Sequence, residues 1–308
     1  MSISVLQSGV QMTLQGAQRI GTRHLGVPVS GPADPLSMAL ANRLVGNTAD
    51  ATVFEITFGG AGVRFNTPVS FALTGAPSDL TLNGKPIRLH TTHTAREGDE
   101  LQIASATQGC RIYLAVAAVL EAKRFLGSTS TYIPAVLGGY KGRALKPNDL
   151  ISMASVRLVP TQSTPESLQP VCSNSYALRA VEGPDYVESS SSIWDEIYTV
   201  TQRASRMGIE LSGAFPDTGQ GPSRPSSAIW PGALQLPPGG RGFLLLPDAQ
   251  TTGGYPHILQ VTRADRHLLG QIRPGDRVRF LHRTNEQAAE ALRAKQALIS
   301  NWLPDFAL

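Results

Sequence analysis

Residues 244–258 read Leu-Leu-Leu-Pro-Asp-Ala-Gln-Thr-Thr-Gly-Gly-Tyr-Pro-His-Ile. The apolar run 243–246 is short and stops at Pro247, which predicts a buried strand. The segment after it is too long and too polar for an economical turn. Gln250, Thr251 and Thr252 supply an amide and two hydroxyls, and Gly253 and Gly254 let the backbone take positive φ or come close to a bound molecule. Tyr255 and Pro256 return the chain to a second apolar segment, 258–261. A polar loop gripped between two strands is how a binding loop is built. The same residues also suit a hairpin whose side chains only cap their own backbone. Either way the stretch sets a β-rich reading, with Gln250, Thr251, Thr252, Gly253 and Tyr255 as candidate site residues.

The rest of the composition agrees. Glycine and proline make up 52 of the 308 residues, against roughly 12% in average usage, which favours many short strands over long helices. A chain of this length exceeds what one compact core usually covers, so two halves are expected. Residues 160–176 carry Ser, Thr, Gln and three prolines and read as the linker between a β-rich half, 1–159, and a second β-rich half, 177–308. A small unit recurs in both. Arg96-Glu97-Gly98-Asp99, Lys146-Pro147-Asn148-Asp149 and Arg273-Pro274-Gly275-Asp276 each set a basic residue, a residue suited to the left-handed region and an aspartate before an alternating strand. Related β-barrel halves would produce that pattern, as would turn chemistry alone.

Local signals fix several elements in order. Residues 3–14 read as one strand and a turn. Asp34 stands as N-cap, Pro35 at the first helical position, Leu36, Leu40 and Leu44 on one face, and Gly46 past the end, predicting a helix near 35–45. Asn42 and Arg43 flank that stripe. Ser30 and Asp34 precede the helix where free N–H groups favour an anion, or where Asp34 simply caps. Phe54-Glu55-Ile56-Thr57-Phe58 alternates and sets Glu55 on the face opposite the apolar residues, either solvated or in a cleft. Strands at 69–74 and 80–89 come next, the latter turning at Asn83-Gly84 in type I′ fashion. His90 and His93 lie three apart in an extended stretch, so they face opposite sides, and no metal site is expected. A short helix is expected at 192–197 and a strand at 198–201, then Arg206 in a polar stretch. Thr284 and Gln287 form a capping box for a final helix, 285–302.

Other function classes are excluded by absence of their signatures. The net charge of +4 comes from 27 basic and 23 acidic residues scattered without a block or stripe, so nucleic acid is not an expected partner. Only five basic residues are lysine, and the arginines suit planar oxyanions. Two cysteines, Cys110 and Cys172, fit a reduced cytoplasm. The longest apolar run, 112–120, is half a membrane span, and no signal peptide or membrane contact is expected. No phosphate-binding P-loop, dinucleotide fingerprint or nucleophile elbow occurs, nor a Met-Lys-Met segment that would carry biotin.

Seven ordered runs, GVPVSGPADPLSMALANRLVGN (26–47), FEITFGGAGVRF (54–65), FALTGA (71–76), YLAVA (113–117), GGYKGRAL (138–145), SRMGIEL (205–211) and the opening stretch (244–258), make the chain similar to the allophanate hydrolase subunit 2 family. That family includes the C subunit of 5-oxoprolinase, which the chain resembles most, KipA-like regulators and part of the carboxyltransferase domain of urea amidolyase. The resemblance implies a mainly β chain with cyclophilin-like β-barrel architecture and a few short helices. It also implies a homologous subunit 1 (KipI-like) partner and a third subunit. With these it would open 5-oxo-L-proline to L-glutamate with hydrolysis of ATP, Mg²⁺ being shared among subunits. The alternatives are the carboxyltransferase component of a biotin-dependent urea carboxylase system and a KipA-like regulatory binding protein. The resemblance also leads to the expectation of a site joining Gln250, Thr251, Thr252 and Tyr255 to Ser30, Asp34, Arg43 and Arg206, the arginines and the 252–254 backbone spreading phosphoryl charge.

Overall fold

The computed structural model describes residues 1–217 and 225–308. Two compact units emerge, one of Met1–Arg19, Ser30–Cys172 and Ile299–Ala307, the other of Ile20–Val29, Ser173–Leu298 and Leu308. The main change-over lies inside the Ser/Pro-rich 160–176 stretch. Two shorter segments also change units, Ile20–Val29 and Ile299–Ala307, which no composition shift announces.

The first unit is built from β1 (Ser2–Ser8), β2 (Gln11–Gln15), helix α1 (Pro35–Leu44), β3 (Val53–Thr57), β4 (Ala61–Phe65), β5 (Val69–Gly75), β6 (Leu80–Leu82), β7 (Lys85–Ile87), β8 (Thr92–Ala95), β9 (Glu100–Ile103), β10 (Arg111–Val116), β11 (Val119–Leu120) and β12 (Leu150–Ala154). The expected single strand at the N-terminus is two. They break at Gly9, whose φ is +59° and where a Cβ would stand 2.2 Å from the Gly59 carbonyl oxygen, a site only glycine tolerates. One sheet runs β11-β12-β1-β4-β9-β6-β7 and a second β2-β3-β10-β5-β8. Ile3, Val5, Val63 and Phe65 of the first share one core with Leu14, Phe54, Phe71 and Leu114 of the second. β10 and β5 are buried along their whole length because α1 packs against them, which is why 112–116 is apolar without alternation.

α1 begins and ends as its sequence dictates. The Asp34 side chain accepts from Ser37 N–H at 3.0 Å, Pro35 opens the helix, and Gly46 comes after the C-cap Val45 with φ +67°. The Asn83-Gly84 turn between β6 and β7 has both φ values positive, 51° and 75°, as type I′ requires.

The second unit contains β13 (Ser175–Glu182), β14 (Ile197–Ala204), β15 (Gly208–Ser212), β16 (Ser227–Ala228), β17 (Ala233–Gln235), β18 (Arg241–Leu245), β19 (Thr252–Gly253), β20 (His257–Val261), β21 (Arg277–His282) and all but the last two residues of helix α2 (Asn285–Ser300). Seven strands, in the order β13-β20-β17-β18-β15-β14-β21, close a barrel. Closure comes from the parallel pairing of β13 with β21. The barrel core holds Leu178, Ile209, Leu234, Leu244, Leu259 and Phe280. The short helix expected at 192–197 is a 3₁₀ segment, Glu188–Trp194, and β14 starts earlier and ends later than the sequence suggested. Serine-rich helical turns are weakly determined locally, and tertiary pairing set both boundaries. Helix α2 carries its capping box as expected, Gln287 N–H to Thr284 Oγ1 at 3.3 Å and Thr284 N–H to Gln287 Oε1 at 3.1 Å.

The three recurrent turns are one structural unit. In each, the aspartate accepts from the backbone N–H of the basic residue, at 2.8 Å for Arg96–Asp99 and Lys146–Asp149 and 2.9 Å for Arg273–Asp276. Gly98, Asn148 and Gly275 take φ of 87°, 73° and 92°. Each turn then exchanges a reciprocal pair of backbone bonds with an adjoining strand residue: Phe65, Val5 and Val200 respectively. The motif therefore does more than reverse the chain. It staples the reversal to a neighbouring strand in both units.

Candidate functional site

In the first unit the residues before α1 are held by a buried polar network. Glu55 stands opposite Tyr113 in the β3–β10 register. Its Oε2 accepts from the Ala33 N–H and the Tyr113 hydroxyl, each at 2.8 Å, and that hydroxyl accepts from the Asp34 N–H at 2.7 Å. Arg111 lies 3.7 Å from Glu55 Oε1 and donates to Thr57 Oγ1 at 2.6 Å. Burial, followed by the Glu55 charge, pushes the Tyr113 hydroxyl well above its ordinary range, so it stays a donor. Of the two places the sequence left open for Glu55, the solvated one is ruled out: it is 1% exposed and it anchors the loop.

The other candidates of this unit divide. Asp34 caps α1, its carboxylate accepting from the Ser37 N–H at 3.0 Å and from the Ser37 hydroxyl at 2.6 Å. Ser30 is fully buried with φ +49°, and its Oγ has no hydrogen-bond partner among the described residues. Arg43 lies in the last turn of α1. Its Nε donates to the Trp302 carbonyl at 3.0 Å and the guanidinium lies 5.0 Å from the Trp302 ring centre.

In the second unit the loop after β18 sits on a small apolar cluster of Ile229, Ala233, Leu245 and Ala249. It is fixed at its start by Arg206 and Asp248. Arg206 Nε meets Asp248 Oδ2 at 2.7 Å and Nη2 meets Oδ1 at 3.2 Å, and the Asp248 N–H returns to the Arg206 carbonyl at 3.0 Å. At its end Gln235 takes over. This fully buried amide donates to the Tyr255 carbonyl at 3.1 Å and accepts from Gln250 Nε2 at 3.4 Å. Thr252 and Gly253 pair with Ser227 and Ala228 as a two-residue ribbon. Gly253 and Gly254 keep negative or extended φ. Close approach is what Gly253 provides, since a Cβ there would lie 2.6 Å from Gln235 Nε2 and 2.9 Å from Ile229 Cδ1.

The structure thus gathers Arg206, Gln250, Thr251, Thr252, Gly253 and Tyr255 in one loop and its brace. Gln250, Thr252 and Tyr255 face solvent. Arg206 is a buried partner of Asp248. Three residues of this arrangement escaped the sequence reading. Gln235 left a trace, a polar residue interrupting Ala233-Leu234-Gln235-Leu236. Asp248 and Arg23 left none, because their partners lie 42 and more than 200 residues away. Arg23 donates to the carbonyls of Ile229 and Thr251, the latter at 3.2 Å, and its guanidinium is 4.4 Å from the Trp230 ring centre. An amide, a hydroxyl, a phenol and a cation around one braced loop suit recognition of a small polar molecule.

Comparison with known proteins agrees in both sequence and shape. The C subunit of 5-oxoprolinase from Escherichia coli (strain K12) is 32% identical over 300 residues, covering 96% of this chain and 95% of that protein. Urea amidolyase of Lachancea kluyveri is 30% identical over 325 residues, covering 97% of this chain but 18% of its own length. The crystal structure of the K. lactis urea amidolyase superimposes with a TM-score of 0.90 at 27% identity, over 98% of this chain and 20% of that one. Residues 25–282 match the family model described as carboxyltransferase domain, subdomain A and B, and the chain belongs to that family.

Proposed function

We propose that this chain is one subunit of a complex that opens 5-oxo-L-proline to L-glutamate with hydrolysis of ATP. The observation that carries this reading is coverage in both directions: the likeness to the 5-oxoprolinase C subunit runs over nearly the whole of both proteins, whereas it takes in under a fifth of a urea amidolyase. A lactam carbonyl is a poor electrophile. Transfer of the ATP γ-phosphoryl to its oxygen makes the carbon open to water; the C–N bond then breaks, the nitrogen taking a proton and leaving as the amine, and the acyl phosphate that remains is split by a second water to glutamate and phosphate. ATP, with Mg²⁺, enters as a substrate. The part proposed for this chain is recognition: the 250–256 loop holds the small molecule, with Arg206 and Asp248 positioning it. A subunit 1 (KipI-like) homologue and a third subunit supply the remainder, in the cytoplasm.

A second reading has an observation of its own. The TM-score of 0.90 over 98% of the chain against the K. lactis urea amidolyase favours a carboxyltransferase component acting with biotin carried on another chain. One comparison separates the two. The assembled subunits are given either 5-oxo-L-proline and ATP, or a carboxylated biotin carrier and urea. Glutamate in the first arm supports the hydrolase. Carrier-dependent carboxylation without glutamate replaces it.

A further inference from the structure

We propose that Arg23 is the anion-recognising residue of the 250–256 loop, its uncommitted Nη1 edge receiving the carboxylate of a small ligand that lies against Gln250, Thr252 and Tyr255. Arg23 belongs to a 3₁₀ turn, Arg23–Leu25. Its Nη2 is committed to the Ile229 and Thr251 carbonyls, one on each side of the β16–β19 ribbon. One face of the guanidinium lies on the Trp230 indole. Nη1, in contrast, is buried with no hydrogen-bond partner among the described residues.

The charge is also unanswered. Arg64, Arg111, Arg143, Arg179, Arg203 and Arg206 each stand within 4 Å of a carboxylate, and Arg23, among the described residues, does not. Burial pulls its guanidinium below the usual arginine range. Two carbonyl dipoles do not balance a full cation, and a charged donor left without an acceptor is among the costlier defects a fold can hold. An arriving oxyanion removes that defect. The ribbon that ends at these two carbonyls has two residues on each side, short enough to part.

The remaining donor edge sets the ligand class. A single guanidinium edge matches one planar carboxylate. A phosphate dianion calls for further cations, and among the described residues no second arginine or lysine bonds to the Ile229 and Thr251 carbonyls beside Arg23. The choice of 5-oxo-L-proline as probe rests on the proposed function; the site itself does not.

The test uses the intact chain, with the Trp230 indole N–H resonance as reporter. Four probes are titrated: 5-oxo-L-proline, 2-pyrrolidinone (the same lactam without a carboxylate), acetate and inorganic phosphate. 5-Oxo-L-proline is expected to bind at least about 10-fold tighter than 2-pyrrolidinone, as a charge-assisted hydrogen bond implies. Acetate should shift the same resonance, and phosphate should bind more weakly than 5-oxo-L-proline. Arg23→Gln should remove the carboxylate preference, with Arg23→Lys restoring part of it. Equal binding of the two lactams by the unaltered chain, tighter binding of phosphate, or no response to either carboxylate overturns the inference without any variant. Arg23-dependent carboxylate binding in a complex that makes no glutamate upholds the site and removes the hydrolase reading. A complex that makes glutamate with an unchanged KM for 5-oxo-L-proline in Arg23→Gln does the reverse.

Discussion

Arg206 and Asp248 face each other through two side-chain contacts, 2.7 and 3.2 Å, with both side chains about one-twentieth exposed. The pair joins the turn before β15 to the first residues of the 247–256 loop, so the polar loop departs from the barrel at a fixed angle. Breaking it by Arg206→Ala leaves a carboxylate buried and uncompensated, and should destabilise the second unit by about 3–5 kcal/mol. The double replacement Arg206→Met with Asp248→Leu should cost clearly less than Arg206→Ala. Urea unfolding followed by tryptophan fluorescence decides this; a single variant no worse than the double one contradicts it.

Tyr113 is the first unit's counterpart. Its hydroxyl donates to Glu55 and accepts from the Asp34 N–H, so Tyr113→Phe leaves two buried groups short of a partner. A loss of about 1–3 kcal/mol is expected. Hydrogen exchange should locate it at the Ala33 and Asp34 amides rather than throughout α1.

Acid should weaken the fold before the carboxylates titrate. Burial lowers the imidazole of His90 to about 4 and that of His267 to about 3, so from about pH 6.5 downward the unfolded chain binds protons that the folded one refuses. Stability is then lost as pH falls, each histidine adding up to about 1.4 kcal/mol per pH unit between 6.5 and its folded value. Asp265 adds to the loss further down: burial raises its carboxyl, but the hydrogen bonds and charge of Arg179 outweigh that and hold it below the usual range. Its contribution disappears as pH falls through the folded value. His267→Gln, which keeps an acceptor for Lys295, should flatten the pH 5–7 slope. An unchanged slope would show that His267 is not buried neutral.

Two of the aspartate turns should respond differently to neutralisation despite their common geometry. The hydrogen bonds from Arg143 lower the Asp149 carboxyl, so its contribution is present above its unfolded pKa and Asp149→Asn forfeits it at neutral pH. Burial raises the Asp276 carboxyl, outweighing the Arg273 N–H, so ionisation there disfavours the folded state as pH rises. Asp276→Asn should therefore cost less than Asp149→Asn at pH 7, and the gap should narrow near pH 3.5. Thermal unfolding at the two pH values measures it.

The features legible in the sequence were local. Asp34-Pro35 with Gly46, Asn83-Gly84, Thr284 with Gln287 and the three recurrent turns all hold their partners within a few residues, and their geometry could be read directly. Arg23, Gln235 and Asp248 act across strand pairings and could not. Glu55 shows the limit clearly. Alternation placed it opposite its apolar neighbours, yet it is met there by Tyr113 and the Ala33 N–H of the loop before α1, which periodicity in one strand does not reveal. Gly253 shows another. Glycine signalled special backbone, and the need turned out to be room for Gln235 rather than positive φ.

The central claim is that this chain is an indispensable but incomplete part of a 5-oxo-L-proline-opening complex. Glutamate and phosphate are measured with the chain, its subunit 1 homologue and the third subunit together, then with each omitted in turn. Both products should form in equal amounts from the full set, and none from the chain alone or from the set lacking it. Glutamate formed at an undiminished rate when this chain is left out would contradict the claim.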